Sequence, residues 1–426
     1  MLFLATTVWG QEQPESPQIV LPQSQPQALL PLKGFTYAFN SELSYDPNIL
    51  RQQTSPLGSR LWIFASKLKY AIQAGGGTYS LGYDVGQSNF LDSKQDTVTN
   101  QALTLTIDQK INSYNRVMIA ASYNLANEAR GVGFNEGAAA LALDKPTPLT
   151  TETVTAKYQL GADSAKMRFT GTVGYGSTDR NSQAIVNDSR DYVEDMLGAQ
   201  LAYRVGARTD MVTEWRDRVV SYPRTPLTPE GSEIPLDSDE QLYLVGFDME
   251  ATAKTSAKLR VGTTQRAFKW KAAQWDDAKA ASSNSAPVPA TTTTNFPTDA
   301  GAELYWELSA VWAPRSYSKL ELSTHSSTRE GWGVGSFVLS KDYGLSWTHQ
   351  WQRRLRTRLG FSVGSDVYKD SARVDNRKTY NMGMEYDFDD RMSFGFGYRY
   401  QQMKSTAVTA GFDKSIYYIF ANYHSK

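Results

Sequence analysis

Between Glu303 and His325 polar and apolar residues alternate with a period of two, and no other feature of the chain restricts its fold as strongly. Leu304, Trp306, Leu308, Ala310 and Trp312 fill every second position before the turn Ala313-Pro-Arg-Ser-Tyr-Ser318, and Leu320 and Leu322 continue after it. Glu303, Tyr305, Glu307, Ser309, Lys319, Glu321, Ser323 and His325 fall between them. Neighbouring side chains of an extended strand project to opposite faces, so this hairpin has one apolar and one charged face. A soluble sandwich can be built the same way. What distinguishes a membrane barrel is that the unit recurs along the chain, with short and long connections alternating.

A chain of 426 residues can be two or three soluble domains or one large barrel, so length alone does not choose. After the first few positions no run of 18 apolar residues occurs, which excludes helical membrane spans. Cysteine is absent, removing disulfides, thiol nucleophiles and thiolate metal sites. Basic and acidic residues balance at 44 each, so there is no global positive field and nucleic acid is not an expected partner. The 24 Tyr, 17 Phe and 10 Trp suit interfacial girdles at least as well as a dry core.

The segment Met1 to Gly10 is short and apolar and is followed by Gln11-Glu12-Gln13; it reads as a signal-peptide remnant without its basic start, or else as a loose apolar terminus. Residues 11–33, rich in Pro, Gln and Ser, read as a periplasmic linker, and 34–426 as the barrel. Phe35, Tyr37, Phe39, Ser41, Leu43 and Tyr45 alternate over a length close to the ~9–11 residues of a tilted membrane strand. The same pattern returns through Trp62 to Tyr70, Tyr79 to Val85, Leu103 to Ile107 and Val117 to Tyr123, and on to Tyr417, Ile419, Ala421 and Tyr423. Turns are expected at Gly75 to Gly77, Asn112 to Arg116, Gly161 to Lys166, Val205 to Asp210, Thr252 to Ala257, Gln352 to Arg354 and Asp387 to Arg391.

The count is about 18 strands, in an all-β, transmembrane, antiparallel, up-and-down barrel. Short turns and both termini are expected on the periplasmic side, and long loops, including 126–150, 222–238 and 269–301, outside the cell. Residues 277–299, nearly free of apolar anchors, are expected to be mobile. Closure pairs every backbone group without an edge, as hydrocarbon requires. A propeller would need a four-strand blade repeat, which the sequence lacks.

Strand parity assigns Tyr37, Trp62, Tyr70, Trp215, Trp306, Trp312, Trp347, Trp351, Tyr398, Tyr400, Tyr417 and Tyr423 to the lipid face. It assigns Lys67, Lys69, Lys157, Arg168, Glu214, Arg216, Arg218, Asp248, Glu250, Arg260, Arg266, Glu303, Glu307, Glu321, Arg356, Arg358, Glu385 and Arg399 to the lumen. Side chains fill eight strands but not eighteen, so the interior is expected to hold water, a plug or a substrate. Tyr305 stands out as a rare luminal aromatic, which argues against an aromatic sugar track.

No cofactor, catalytic or metal site is expected. His325 beside Ser323 and Ser326 suggests a hydrolase only by adjacency, with no acid placed to orient the imidazole. Gly131-Val-Gly133-Phe-Asn-Glu-Gly137 precedes no expected helix, so loop flexibility explains it better than phosphate binding. Asp237-Ser-Asp239-Glu240 lacks a full Ca²⁺-coordinating loop and reads as a solvated strand entrance.

At Ser44-Tyr-Asp-Pro-Asn-Ile49, at Glu240 to Ser256 and at Trp306 to Glu330 the chain resembles the putative β-barrel porin 2 family, in strand-and-turn phrasing rather than in any catalytic signature. Pro47 replaces an acid usual in that first motif. The resemblance implies an outer-membrane protein linked to secretion or surface assembly of exopolysaccharide or capsule, acting as a hydrated conduit and not as an enzyme. Outer-membrane lipid and lipopolysaccharide, the barrel-insertion machinery, polysaccharide and other export components are the partners it implies. A general diffusion porin and an outer-membrane barrel hydrolase are the alternatives.

Overall fold

The computed structural model describes residues 34–181, 188–227, 233–252, 254–269, 297–331 and 334–425. The expected signal remnant and linker, and all but the last three residues of the 277–299 stretch, lie outside them. Eighteen strands follow one another: β1 (Gly34–Asp46), β2 (Ser59–Ala74), β3 (Gly77–Phe90), β4 (Val98–Lys110), β5 (Asn115–Glu128), β6 (Thr147–Leu160), β7 (Met167–Arg180), β8 (Tyr192–Gly206) and β9 (Thr209–Ser221) form the first half. The second half is β10 (Ser238–Thr252), β11 (Thr255–Phe268), β12 (Ala300–Arg315), β13 (Ser318–Glu330), β14 (Phe337–Gln352), β15 (Leu355–Tyr368), β16 (Val374–Asp387), β17 (Met392–Ser405) and β18 (Phe412–His424). Each strand pairs antiparallel with its sequence neighbours, and β1 closes on β18 from Ala38↔His424 to Tyr45↔Tyr417.

Closure explains the exposure pattern. On β4, Leu103 and Leu105 are 45% and 39% exposed although they are among the most apolar residues of the strand. A water-soluble fold does not leave such a band around its circumference; hydrocarbon outside the sheet makes it stable. Trp312, Trp351, Tyr386 and Phe394 lie toward the end of this face where the short links are, and Tyr123, Tyr175, Tyr243 and Tyr343 lie farther along it. His349, on the same face, packs between Trp347 and Trp351 with ring centroids 5.1 and 4.4 Å away.

The eight links after β2, β4 and each later even strand up to β16 are two to six residues long. The nine links at the opposite end run from five to thirty-one residues. The start of β1 and the end of β18 lie at the short-link end. The strands run to 13–16 residues, longer than a bilayer needs, because polar strand ends keep their ladder bonds past the apolar band. For that reason the links expected at Val205 to Asp210 and Thr252 to Ala257 contract to residues 207–208 and 253–254.

Among the described residues, two places depart most from a regular cylinder. On β10 and β11 a Cβ at Gly246 or Gly262 would overlap the backbone of the opposite strand, at Leu259 and Tyr243 respectively. Glycine permits this close approach, and the wall turns a sharp corner there. The second departure is at β12 and β13, whose ladder runs from Arg315↔Ser318 only as far as Glu307↔His325. Beyond it β12 stays paired with β11 up to Arg266↔Ala300, while β13 stays paired with β14 up to Glu330↔Phe337. The parted end of β13 lies inside the barrel, as its side-chain partners show.

Candidate functional site

The interior is built by the side chains that alternate with the exposed apolar ones. Every charged residue expected in the lumen lies at such a position in the strand registers except Glu250, which falls in the register shift beside the β10–β11 turn, and nearly all find partners. Arg168 holds Asp210 at 2.5 Å, Arg260 holds Asp248 at 2.8 Å, and Lys67 faces Asp84 at 3.5 Å. Glu303 meets Lys369 at 2.6 Å, and Glu321 meets Lys319 at 2.6 Å. Glu385 joins Arg356 and Arg358 at 3.2 and 2.9 Å and accepts from Ser393. Arg399 bonds Asn381 and covers the ring of Tyr418 at 5.2 Å. For Lys69, Lys157 and Glu250 no side-chain ion pair is found among the described residues.

The corner at Gly246 and Gly262 sets the strongest cluster. It brings Arg216 of β9 within 2.9 Å of Glu307 of β12, across two intervening strands. Under this bridge Leu242, Leu244 and Tyr305 form a small buried apolar group on the inner wall. One level up, Arg218 contacts Glu194 at 2.7 Å, Glu240 at 3.2 Å and Glu330 at 3.4 Å. Arg266, 1% exposed, grips both oxygens of Glu330 at 2.9 and 2.8 Å, and Tyr222 donates its hydroxyl to the same carboxylate. Thr328 bonds Glu240, which also accepts from Thr264. Because Thr328 and Glu330 touch inward-facing residues of β10 and β11, the parted end of β13 forms a second layer inside β10–β12. Its other face is fixed by Arg329, which reaches Asp366 at 2.7 Å and Ser340 at 3.1 Å.

Loops fill much of the mouth at the same end. Ile49 and Leu50 from the link 47–58 pack with Leu61, Ile63 and Phe90 of the wall and with Ala140. Ala140 belongs to helix α1 (Ala138–Ala142), which starts directly after Gly137 at φ 60°. The glycine-rich stretch therefore does precede a helix, and the backbone carbonyl of Gly137 accepts from Gln52 at 3.0 Å. The link carrying α1 reaches across the mouth to pair Glu136 with Arg373. Burial opposes the charge on Arg373, but its bonds to Glu136 and Asp375 outweigh burial and hold its pKa above the ordinary guanidinium value. Tyr222, Ile234 and Leu236 from the link 222–237 cover Tyr192, Val220, Phe268 and Phe337. Beside them, burial pushes Asp191 up to about 6.

Below this layer lies a cavity of about 620 Å³ bounded by β5 to β13, with Lys157, Arg216, Lys258, Arg260, Tyr305, Glu307 and His325 in its wall.

The lumen holds more aromatics than the sequence suggested. Tyr418 and Phe420 stand on the inner face of β18 over Gly397 and Gly395, where a Cβ would overlap their rings. Parity does carry this signal once Tyr417 and Ile419 are placed outside. His325 also differs from expectation: Asp342 is its register partner on β14, 3.7 Å from Nε2. Asp342 is shared with Arg377 at 3.0 Å, and His325 bonds no serine hydroxyl among the described residues. Asp239 pairs with Lys269 at 3.0 Å, whereas Glu240 faces the lumen, so strand alternation keeps the two carboxylates from converging on one ion. Glu330 was illegible, since its inward contact comes from β13 leaving the wall.

Residues 302–422 match the family described as putative beta-barrel porin 2. No curated protein matches the chain. Among solved structures, a BenF-like porin from Pseudomonas fluorescens Pf-5 is similar at TM-score 0.47 and 9% identity, over 92% of this chain and 100% of that one. OpdQ from Pseudomonas aeruginosa is similar at TM-score 0.46 and 8% identity, over 92% and 99%. The siderophore receptor PirA from Acinetobacter baumannii is similar at TM-score 0.43 and 8% identity, over 92% and 81%.

Proposed function

We propose that this chain, whose residues 302–422 match the putative beta-barrel porin 2 family, is an outer-membrane barrel that forms a narrow hydrated conduit serving exopolysaccharide secretion or surface assembly. Its short links and both chain termini face the periplasm in this reading, and its lipid face meets outer-membrane lipid and lipopolysaccharide. The observation that carries it is the combination of a charged inner wall with a mouth occupied by links 47–58 and 129–146, by Tyr222, Ile234 and Leu236, and by the tucked end of β13. Such an interior restricts flow until something displaces its loops, which suits a route shared with other export components better than an always-open pore.

A general diffusion porin is the second reading, favoured by the mixed charge of the wall. Planar-bilayer recording of the purified chain separates the two. Export predicts small or rare conductance steps from the isolated protein, and large permanent steps through which neutral sugars pass would sink that reading in favour of the porin. The proposal includes no catalytic step, because His325 bonds no serine hydroxyl among the described residues; hydrolysis of phospholipid or peptide that disappears in His325→Ala would overturn this.

A further inference from the structure

The cavity beneath the loops is unusual in how its cations are used. Four arginines line it, and each is already engaged: Arg216 with Glu214 and Glu307, Arg218 with Glu194 and Glu240, Arg260 with Asp248, and Arg329 with Asp366. Lys157 and Lys258 also line it, and neither has an ion-pair or hydrogen-bond partner among the described residues. Lys157 lies three residues before the end of β6 and Lys258 three after the start of β11, so both stand toward the short-link end of the lumen. They face one space: Lys157 feels the like charges of Lys258 and Arg216 and the opposite charge of Glu214, which Arg216 already holds at 2.6 Å.

Two ammonium groups held near each other over a partly enclosed space repel, and an anion between them relieves the repulsion. The carboxylates of the wall supply acceptors for hydroxyl groups, and 620 Å³ lies within the range of about 300–1,000 Å³ of small-molecule sites. We infer that Lys157 and Lys258 form a luminal site for a carboxylate-bearing oligosaccharide at the entrance from the short-link end. This rests on the reading of the barrel as a conduit and names the chemical class of what enters it.

Calorimetric titration of the full chain in detergent tests the inference, with trigalacturonate and neutral maltotriose as probes. Trigalacturonate is expected to bind at least about tenfold tighter than maltotriose, and to weaken as salt is raised. Lys157→Gln and Lys258→Gln should each weaken it by about tenfold, as loss of one charged hydrogen bond does. Lys157→Arg and Lys258→Arg should restore much of the binding, which shows that a Gln variant lost charge and not fold. Lys69→Gln, luminal but outside this cavity, should leave affinity unchanged. Equal binding of the two probes, no binding, or the same loss in Lys69→Gln overturns the site. If trigalacturonate binds as expected while bilayers show no conductance under any condition, the conduit reading fails and the site stands. Conductance without this preference has the opposite meaning, a conduit that lacks the site.

Discussion

Glu330→Ala tests whether the inner layer is held by charge. In the native interior Glu330 joins Arg266, Arg218 and Tyr222. Arg218 keeps Glu194 and Glu240 after the substitution, so Arg266 is the group left stranded. Removing one partner of a buried ion pair costs about 3–5 kcal/mol. Arg266 retains Ser238 at 3.1 Å and the rings of Phe268 and Phe337 at 5.5 and 5.3 Å, which places the cost near the lower end, about 3 kcal/mol. That cost falls on docking of the tip and not on the sheet, because the β13–β14 ladder does not use this carboxylate. The ratio of docked to free tip should therefore drop on the order of 100-fold. Hydrogen exchange in nanodiscs reads it directly: the amides of 326–330 that point away from β14 should exchange about 100-fold faster, while those bonded to β14 and those of 318–325 keep their protection. Unchanged exchange at 326–330, or equal loss of protection around the whole barrel, refutes the reasoning.

Three further outcomes follow from the same geometry. Leu105→Arg should destabilise the barrel by about 2–4 kcal/mol in vesicle unfolding, as a cation on a lipid face does, while Thr104→Arg on the lumen face should cost far less; equal costs would mean that the faces are misassigned. Asp191 has its folded pKa raised from 3.8 to about 6, so between those values the folded chain binds more protons than the unfolded one. Its contribution to stability is greatest below 3.8 and is lost as pH climbs through 6; Asp191→Asn should flatten the pH dependence of the denaturant midpoint in that window only. Glu385→Ala leaves Arg356 with Asp387 and strands Arg358, and should cost about 1–3 kcal/mol in the same unfolding assay, since the Arg358 side chain is 26% exposed.

Much of the barrel was legible because period-two patterning is a property of single strands. Trp62 through Tyr70 or Tyr380 through Tyr386 declare their two faces without reference to any other part of the chain. The connections that fold inward were not legible. Ile49 and Leu50 look like ordinary loop residues until Ala140, far along the chain, arrives to cover them. The ion clusters lie between these extremes. Parity assigned Arg216 and Glu307 to one face, but only the glycine corner makes them neighbours, and the need for Gly246 and Gly262 is visible only once two backbones approach. His325 shows the same limit, because its acid is supplied by register and not by sequence adjacency.

The parted seam between β12 and β13 is spanned by contacts that pass over β13 and β14. Thr298 bonds Asp370 at 3.0 Å and Glu303 holds Lys369, so β12 and the residues just before it are strapped to the β15–β16 connection. These contacts use no atom of the tip, so releasing Glu330 leaves the seam still spanned.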